Sequence, residues 1–213
     1  MLKLHQIINK PYSSNTFVIE NENSRDIWLI DAGFSEDLFK IIDPSKNVKG
    51  VLLTHAHYDH IQGLNEIINI FPSCIIYCSS YTMNGLYDSK ANLSFYHDKP
   101  LTIKKCDVQL KSNNETIVLY DNVRALIYET PGHNHGSLCF LIEHFLFTGD
   151  SYIPQIPVVT KLKGGDRHVN ANSLGLIFSI IKSETILCPG HGSIFEGDEL
   201  KKVVFKDRSI HIT

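Results

Sequence analysis

Several features are scarce in this sequence of 213 residues, and each scarcity argues against a class of protein. No apolar run approaches the ~18 residues that a membrane helix needs, and the chain has no long basic run at a formal net charge of -3. A dedicated nucleic-acid-binding protein usually shows a basic stripe. The N-terminal stretch MLKLHQIINK lacks the long apolar core of a secretory signal. We therefore expect no nucleic-acid partner, no membrane association and a cytoplasmic location.

Cysteine is also sparse, and its pattern does not suggest a disulfide framework. The five cysteines are an odd number in a chain for which no export signal is predicted, which favours reduced, buried thiols. Most of them lie in apolar, strand-like runs such as SCIIYC, SLCFLI and TILCPG. Cys74 and Cys78 could be a pair of metal ligands, but their apolar surroundings favour core packing.

The rest of the composition is that of an ordinary globular protein, with 43% hydrophobic and 20% charged residues. Short apolar runs bounded by turns predict a series of strands. These are NTFVIE (15–20), DIWLID (26–31), VKGVLLTH (48–55), CIIYC (74–78), then ETIVLY, VRALIYET, SLCFLIE and FLFTGD between residues 115 and 150, and TILCPGH (185–191).

Apolar residues at helical spacing predict three helices between these strands. They are SEDLFKII (35–42) with Ser35 as a cap, IQGLNEIINIF (61–71), and LGLIFSII (174–181) with Ser173 as a cap. We therefore expect a single layered α/β domain over residues 1–213, built of two similar units. The least regular segment runs from Tyr152 to Asn172, and long irregular loops often carry function.

The stretch THAHYDH (54–60) places three histidines and an aspartate between a buried strand and a helix. Side chains two apart in an extended chain point the same way, so His55 and His57 can reach one metal ion. Asp59 and His60 lie where the chain bends into the helix and can reach a second point nearby. Imidazole and carboxylate ligands suit zinc, and also iron or manganese.

Three later motifs place similar side chains at strand ends. TPGHNHG contains His133, FTGD contains Asp150 and CPGHG contains His191. Each lies next to a glycine, which permits close backbone approach. Because strands in a layered fold end together at one edge, we expect these loops to converge.

Taken in order, THAHYDH, PGH, TGD and PGHG resemble the motifs of the metallo-β-lactamase superfamily of hydrolases. The stretch LIDAG (29–33) resembles the family's first motif. The resemblance covers essentially the whole chain and implies a four-layer αββα metallo-β-lactamase sandwich with a two-metal site. By position, it implies that His55, His57 and His133 bind the first metal, that Asp59, His60 and His191 bind the second, and that Asp150 bridges both.

The motifs also favour one branch of this superfamily. The lactamases proper typically have a cysteine at the position of Asp150 and lack a histidine at the position of His60, so the chain looks more like glyoxalase II. NKPYSSNTFVI also resembles the compact, single-domain glyoxalase-like proteins. Since the chain ends soon after His191, we expect the helical extension that helps glyoxalase II to bind glutathione to be missing.

The resemblance implies two Zn²⁺, with iron or manganese as alternatives, activating a bridging hydroxide for attack on a small ester or thioester. Asp59 and Asp150 would be catalytic by orienting the hydroxide, and Asp59 is the candidate proton shuttle. Two zinc ions, two aspartates and hydroxide sum to about +1, which favours an anionic small-molecule substrate.

Other residues near these motifs have two interpretations each. Asp31 could orient a metal ligand or merely end a strand. Tyr58 and Tyr152 flank ligand positions and could line a substrate pocket or pack in the core. His135 could be a pocket residue or a solvated one. Arg167 could bind a carboxylate or phosphate, or be solvated, as could its neighbours Lys161, Lys163 and His168.

Three alternative functions are compatible with parts of the sequence. Persulfide dioxygenases of the same superfamily use one iron held by two histidines and an aspartate. A phosphodiesterase or nuclease, like the tRNA-processing branch, fits less well with the acidic charge balance. A metal-binding module without turnover fits less well with the complete ligand set. The sequence does not indicate an oligomeric state.

Overall fold

The computed structural model describes residues 1–33, 35–110 and 115–211. The chain divides into two compact units, Met1–Leu110 (unit 1) and Lys111–Thr213 (unit 2). Each unit contains one β-sheet with accompanying helices, which confirms the α/β class. No helix in the described part of the chain combines the length and apolarity that crossing a membrane requires.

Unit 1 is built on a six-stranded mixed sheet in the order β1-β2-β3-β4-β5-β6. The first three strands pair antiparallel, and the pairs from β3 to β6 are parallel. The strands are β1 (Leu2–Ile8), β2 (Asn15–Asn21), β3 (Asp26–Ile30), β4 (Asn47–Leu52), β5 (Ile75–Ser79) and β6 (Val108–Leu110). The helices are α1 (Ser35–Ile41), α2 (Tyr58–Ile61), α3 (Leu64–Ile70) and α4 (Ser80–Tyr87), with a 3₁₀ turn at Ser94–Tyr96.

Unit 2 is built on a five-stranded sheet in the order β11-β10-β9-β8-β7. Only β10 and β11 are parallel, and the other neighbours form an antiparallel meander. The strands are β7 (Thr116–Tyr120), β8 (Val123–Glu129), β9 (Leu138–Ile142), β10 (Phe145–Gly149) and β11 (Ile186–Pro189). The helices are α5 (Arg167–Ile180) and α6 (Gly197–His211).

Each unit has its own apolar core. In unit 1, the parallel strand β4 contributes Val51, which is buried with Leu29 of β3 and Ile76 of β5. In unit 2, Leu146 and Leu187 of the parallel pair β10–β11 pack in one cluster with residues of α5 and α6. A parallel strand is usually covered on both faces, which explains why VKGVLL and TILCP are nearly continuous apolar runs.

The predicted helix over residues 61–71 is wrong in its bounds, because two short helices replace it. The backbone N–H of Gly63 donates to the carbonyl oxygen of Ala32 at 2.9 Å, and the N–H of Ala32 donates to His60 at 2.8 Å. These bonds join the helical segment to the LIDAG stretch, and α3 begins only after Gly63. The sequence pattern predicted the apolar face of the helical segment but not the break between α2 and α3.

The predicted helix over residues 174–181 begins seven residues earlier, at Arg167. Its cap is Asp166, whose side chain accepts hydrogen bonds from the backbone N–H groups of His168 and Val169. Ser173 is therefore not a cap; it lies inside the helix and donates to the carbonyl oxygen of Pro131 at 2.6 Å. The irregular segment predicted to reach residue 172 ends at Asp166.

Four elements were not predicted: β1, β6, α4 and α6. In α6, Leu200, Val203 and Val204 are buried while Phe205 is 80% exposed. The apolar residues therefore do not all lie on one face of the helix, which weakens the helical periodicity in the sequence. The predicted cap Ser35 lies outside the residues whose side chains are described. All five cysteines are free thiols, and all except the half-buried Cys106 are buried. This confirms the expectation of reduced, mostly buried thiols.

Candidate metal centre

The candidate ligands of unit 1 lie where the parallel strands β3 and β4 end. Asp31 follows β3, and its backbone N–H donates to Leu52 of β4 at 3.0 Å. Asp31 adopts a left-handed conformation, with φ 58°, which aspartate tolerates better than most residues. The carboxylate of Asp31 is thereby brought against Thr54, at the start of THAHYDH.

The buried carboxylate of Asp31 accepts three hydrogen bonds. Oδ1 accepts from the backbone N–H of Thr54 at 2.7 Å, and Oδ2 accepts from the Thr54 hydroxyl at 2.7 Å and from Nδ1 of His60 at 2.8 Å. A carboxylate can only accept, so His60 carries its proton on Nδ1. This tautomer makes Nε2 the ligand atom of His60.

Thr54 extends the same arrangement to His55, a role that the sequence analysis missed. The Thr54 hydroxyl has one proton and donates it to Asp31, so it accepts from Nδ1 of His55, which lies 3.0 Å away. His55 therefore also presents Nε2 as its ligand atom. One carboxylate fixes two imidazole tautomers, and the only sequence signal was a threonine placed directly before the first histidine.

The histidine rings of unit 1 form a compact, buried cluster. The ring centroid of His55 lies 4.6 Å from that of His57 and 4.3 Å from that of His60. Nε2 of His60 lies 3.7 Å from Oδ2 of Asp59. Three buried imidazoles this close would repel one another if protonated. Neutral imidazoles beside a carboxylate are instead a donor set that fits a divalent metal ion.

The backbone of Asp59 is approached by a residue that precedes β2 and by a residue that follows β3. The Ser14 hydroxyl donates to the carbonyl oxygen of Asp59 at 2.6 Å. At Gly33, the last residue of LIDAG, a Cβ atom would lie only 2.5 Å from this same oxygen. The glycine is therefore needed because the two backbones approach so closely.

The candidate ligands of unit 2 follow β8, β10 and β11. These strands run in the same direction, because β8 and β10 are both antiparallel to β9, and β11 is parallel to β10. Oδ2 of Asp150 lies 3.5 Å from Nε2 of His133 and 3.6 Å from Nε2 of His191. Nδ1 of His133 donates to the carbonyl oxygen of Val159 at 2.8 Å, which makes Nε2 its ligand atom. The contact of His133 with Val159 was not predicted.

Gly190 permits the close approach of β11 to Asp150. Its N–H donates to the carbonyl oxygen of Gly149 at 2.8 Å. A Cβ atom at this position would lie 2.2 Å from Oδ1 of Asp150 and 2.7 Å from the carbonyl carbon of Gly149. The glycine of PGHG is thus required by the position of the aspartate.

The model of the metallo-beta-lactamase superfamily matches residues 9–191, well over half of the chain.

The chain belongs to the metallo-β-lactamase superfamily.

Three relatives illustrate the range of similarity. A probable polyketide biosynthesis zinc-dependent hydrolase, PksB of Bacillus subtilis, is 23% identical over 89% of this chain and 78% of its own length. A hydroxyacylglutathione hydrolase of Buchnera aphidicola is 27% identical over 96% of this chain and 73% of its own length. The crystal structure of BLEG-1 B3 metallo-beta-lactamase superposes with a TM-score of 0.83 and 26% identity, covering 97% of both chains.

These findings confirm the metallo-β-lactamase fold and the resemblance to the glyoxalase II-like branch of the superfamily. They support a metal-dependent hydrolase. The predicted ligands are also the residues that make up the candidate metal-binding groups in the described ranges: His55, His57, Asp59, His60, His133, Asp150 and His191. Histidine and aspartate donors of this kind support divalent metal binding in this superfamily member.

Tyr58 belongs to an aromatic cluster on unit 1 of the hydrolase. Its ring stacks on His97 at 4.4 Å and meets Tyr12 edge-on at 5.8 Å, while the Tyr12 hydroxyl lies 2.9 Å from Nδ1 of His97. Burial, together with Tyr12 and Asp98, raises the pKa of the Tyr58 phenol. Tyr12 and His97 were not predicted, because they are distant in sequence from THAHYDH.

Of the two interpretations of Tyr152, its surroundings support core packing. The side chain is 2% exposed in the core of unit 2 and packs edge-on against Phe178 at 5.1 Å. Its hydroxyl donates to Asp207 of α6 at 2.8 Å, and burial raises the pKa of the phenol. Tyr152 is thus a packing residue, whereas Arg167 and His135 are exposed.

Proposed function

We propose that the protein is a dinuclear metal-dependent hydrolase of a small, anionic ester or thioester. The observation that carries the proposal is the arrangement of ligand atoms. In unit 1, the Asp31–Thr54 pair holds two imidazoles in the tautomer that presents Nε2. In unit 2, one carboxylate oxygen of Asp150 contacts two imidazole Nε2 atoms.

The proposed ligand set combines the candidates of both units. His55, His57 and His133 would hold one metal, Asp59, His60 and His191 would hold the other, and Asp150 would serve both. A carboxylate offers two oxygens and several lone pairs, so Asp150 is the residue of this set best suited to a shared role. Nitrogen and oxygen donors suit zinc, and also iron or manganese.

When bound, two metals of this kind supply a hydroxide nucleophile near neutral pH and stabilise the oxyanion. The protein's own residues would do the rest. Asp59 is the candidate proton shuttle because its carboxylate is partly exposed, at 23%, while its backbone is fixed by Ser14. Asp31 would act through His60 and His55, keeping their ligand atoms directed away from its own carboxylate.

The substrate class is supported by a relative and by charge. A hydroxyacylglutathione, the compound in the name of the Buchnera relative, is an anionic thioester. Four metal charges against Asp59, Asp150 and a hydroxide leave about +1, which favours an anionic substrate. The charged side chains of Lys161, Lys163 and Arg167 are exposed and are candidates for binding its carboxylate.

The first experiment is metal analysis of protein purified without added metal or chelator, followed by a panel of esters and thioesters. The proposal expects about two zinc ions per chain and turnover of at least one anionic thioester. About one iron per chain, with oxygen consumption on a persulfide, would replace the hydrolase with a dioxygenase.

A matched pair of histidine variants tests the ligand assignment. His57→Ala is expected to lose bound metal and hydrolysis, because it removes one imidazole from the buried cluster. His5→Ala is the control, since His5 lies on β1, where its Nε2 is 3.7 Å from the carboxylate of Glu20, and is not one of the candidate ligands. Full metal content and activity in His57→Ala would refute the assignment.

A further inference from the structure

A pair of thiols outside the candidate metal ligands lies in near-bonding contact. The Sγ atoms of Cys78 and Cys106 are 3.0 Å apart, although the residues are 28 positions apart in sequence. Cys78 lies on β5 and is fully buried, whereas Cys106, just before β6, is half-buried. A disulfide bond is about 2.05 Å long, so a closure of about 1 Å would join the two sulfurs.

This contact does not suit a metal ion. Two thiolates on a tetrahedral zinc ion, each about 2.3 Å from the metal, are separated by about 3.8 Å. The sulfurs of Cys78 and Cys106 are closer than that. The candidate metal-binding groups in residues 1–33, 35–110 and 115–211 consist of histidine and aspartate alone. The geometry of the pair therefore favours sulfur–sulfur chemistry over metal binding.

We propose that Cys78 and Cys106 form a dithiol site that a low-molecular-weight disulfide oxidises to an intramolecular disulfide. The proposal is independent of the hydrolase reaction and concerns unit 1 alone. The contact brings together β5 and the segment that leads into β6, two neighbouring strands of the same sheet. The disulfide would therefore join two chain segments that the sheet already holds side by side.

The exposure of the two sulfurs sets the order of the steps. Cys106 is the more accessible of the two, and the hydrogen bond from the Cys78 thiol lowers the pKa of Cys106, against the opposing effects of partial burial and of Asp107. The same hydrogen bond and burial raise the pKa of Cys78. Thiolate attacks a disulfide faster than thiol does, so Cys106 reacts first and Cys78 resolves.

The exchange balances with the external disulfide as the oxidant. The Cys106 thiolate attacks one sulfur of the reagent, a mixed disulfide forms, and the first thiolate leaves. The Cys78 sulfur then attacks Sγ of Cys106 and displaces the second thiolate, which takes up the Cys78 proton as it leaves. Two protein thiols are oxidised by two electrons, and the external disulfide is reduced to two thiols.

The other cysteines are internal controls. Cys74 and Cys139 are buried, and burial raises the pKa of each thiol to about 12. Burial also raises the pKa of Cys188. These thiols are both inaccessible and less ionised, so the folded protein is expected to oxidise selectively at the Cys78–Cys106 pair.

The test treats the folded, metal-loaded protein with oxidised glutathione and counts thiols over time. The proposal expects two of the five thiols to be lost, with the tryptic peptide 50–90 joined to peptide 106–111 and no retained glutathione. Because peptide 50–90 contains both Cys74 and Cys78, the variants Cys74→Ser and Cys78→Ser assign the partner. Cys74→Ser should keep the crosslink.

The variants also separate the two steps. Cys78→Ser is expected to accumulate a glutathione adduct on Cys106, because the resolving sulfur is gone. Cys106→Ser is expected to form neither the crosslink nor a glutathione adduct, because the attacking sulfur is gone. Five intact thiols in the folded protein, a lasting adduct on wild-type Cys106, or a crosslink that survives in Cys78→Ser would overturn the proposal. Denatured protein under the same treatment shows that the reagent is active.

Discussion

A single buried carboxylate controls several polar contacts of the candidate metal centre. Asp31 accepts hydrogen bonds from Thr54 and His60, and the Thr54 hydroxyl in turn accepts one from His55. The direction of each hydrogen bond follows from the inability of a carboxylate to donate. Asp31 therefore sets which ring nitrogen is protonated in both histidines: in His60 through one hydrogen bond, and in His55 through two hydrogen bonds by way of Thr54.

Replacing Asp31 with asparagine tests this chain of proton positions. In Asp31→Asn, an amide nitrogen would face His60 if the amide oxygen still accepts from Thr54, and His60 would then carry its proton on Nε2. We expect metal affinity to fall by about 10- to 100-fold, as measured by competition with a chelator. Asp26→Asn, at the opposite end of the same strand, should leave the affinity unchanged. An unchanged affinity in Asp31→Asn would show that the tautomers are set otherwise.

Two glycines of unit 2 form a matched pair for a second test. Gly190→Ala would place a Cβ atom 2.2 Å from Asp150, whereas Gly175→Ala, within α5, would meet nothing within 4 Å. We expect Gly190→Ala to lose metal and about 1–3 kcal/mol of stability. Gly175→Ala should gain about 0.5–1 kcal/mol, because alanine favours the helix. Elemental analysis and thermal unfolding measure both; equal metal content in the two variants would contradict the assigned role of Gly190.

Asp166 links the start of helix α5 to the PGH loop, which carries the candidate ligand His133. The side chain of Asp166 caps the helix, while its backbone N–H donates to the carbonyl oxygen of Gly132 at 2.8 Å. Gly132 directly precedes His133. The position of the helix start and the path of the PGH loop are therefore fixed together within unit 2.

The cap of α5 gives a pH-dependent prediction. The backbone N–H groups of Val169 and His168 lower the pKa of the Asp166 carboxyl below its ordinary value. A lowered folded-state pKa means that the stabilisation is complete above the unfolded-state pKa and is lost as the pH falls through the folded value. The unfolding temperature of Asp166→Ala should thus lie below that of wild type at neutral pH, and the two should converge only as the pH falls below about 4.

Asp198→Ala is the control for this comparison, because Asp198 is 85% exposed and contacts Lys201 on its own helix. A wild-type advantage over Asp166→Ala that persists unchanged in acid would show that the cap does not act through its charge.

The strands were easier to predict than the helices, for a physical reason. Runs such as VKGVLL and TILCP are apolar because both faces of a parallel strand are covered, and this signal is local. The break at Gly63 depends on backbone bonds to Ala32, which lies far away in sequence. The start of α5 depends on a capping aspartate that no apolar period marks.

Across the molecule, the candidate ligands could be proposed from the sequence, but the hydrogen bonds that orient them could not. Histidines and aspartates at strand ends in THAHYDH, PGH, TGD and PGHG were enough to propose all seven candidate ligands, which stay a prediction. The contact of His133 with Val159 uses a backbone carbonyl, which leaves no signature in residue type. The hydrogen bond from Tyr152 to Asp207 could not be predicted either, because the two residues are 55 positions apart.

Metal removal should lower the stability of the whole chain. A ligand that binds only the native state stabilises it by about 2.7 kcal/mol when its concentration is 100 times Kd. We expect chelation to lower the unfolding temperature and zinc to restore it. The shift should be smaller in His57→Ala. Identical unfolding curves with and without chelator would contradict native-state metal binding.

The bond between His133 and the carbonyl oxygen of Val159 has a consequence for how this segment tolerates change. Because any amino acid offers a carbonyl, position 159 is free to vary in side chain without disturbing the imidazole. The register of the segment is not free in this way, since inserting or deleting one residue would carry the carbonyl away from the ring. We therefore expect the side chain at position 159 to vary among relatives, while the number of residues between His133 and position 159 stays constant.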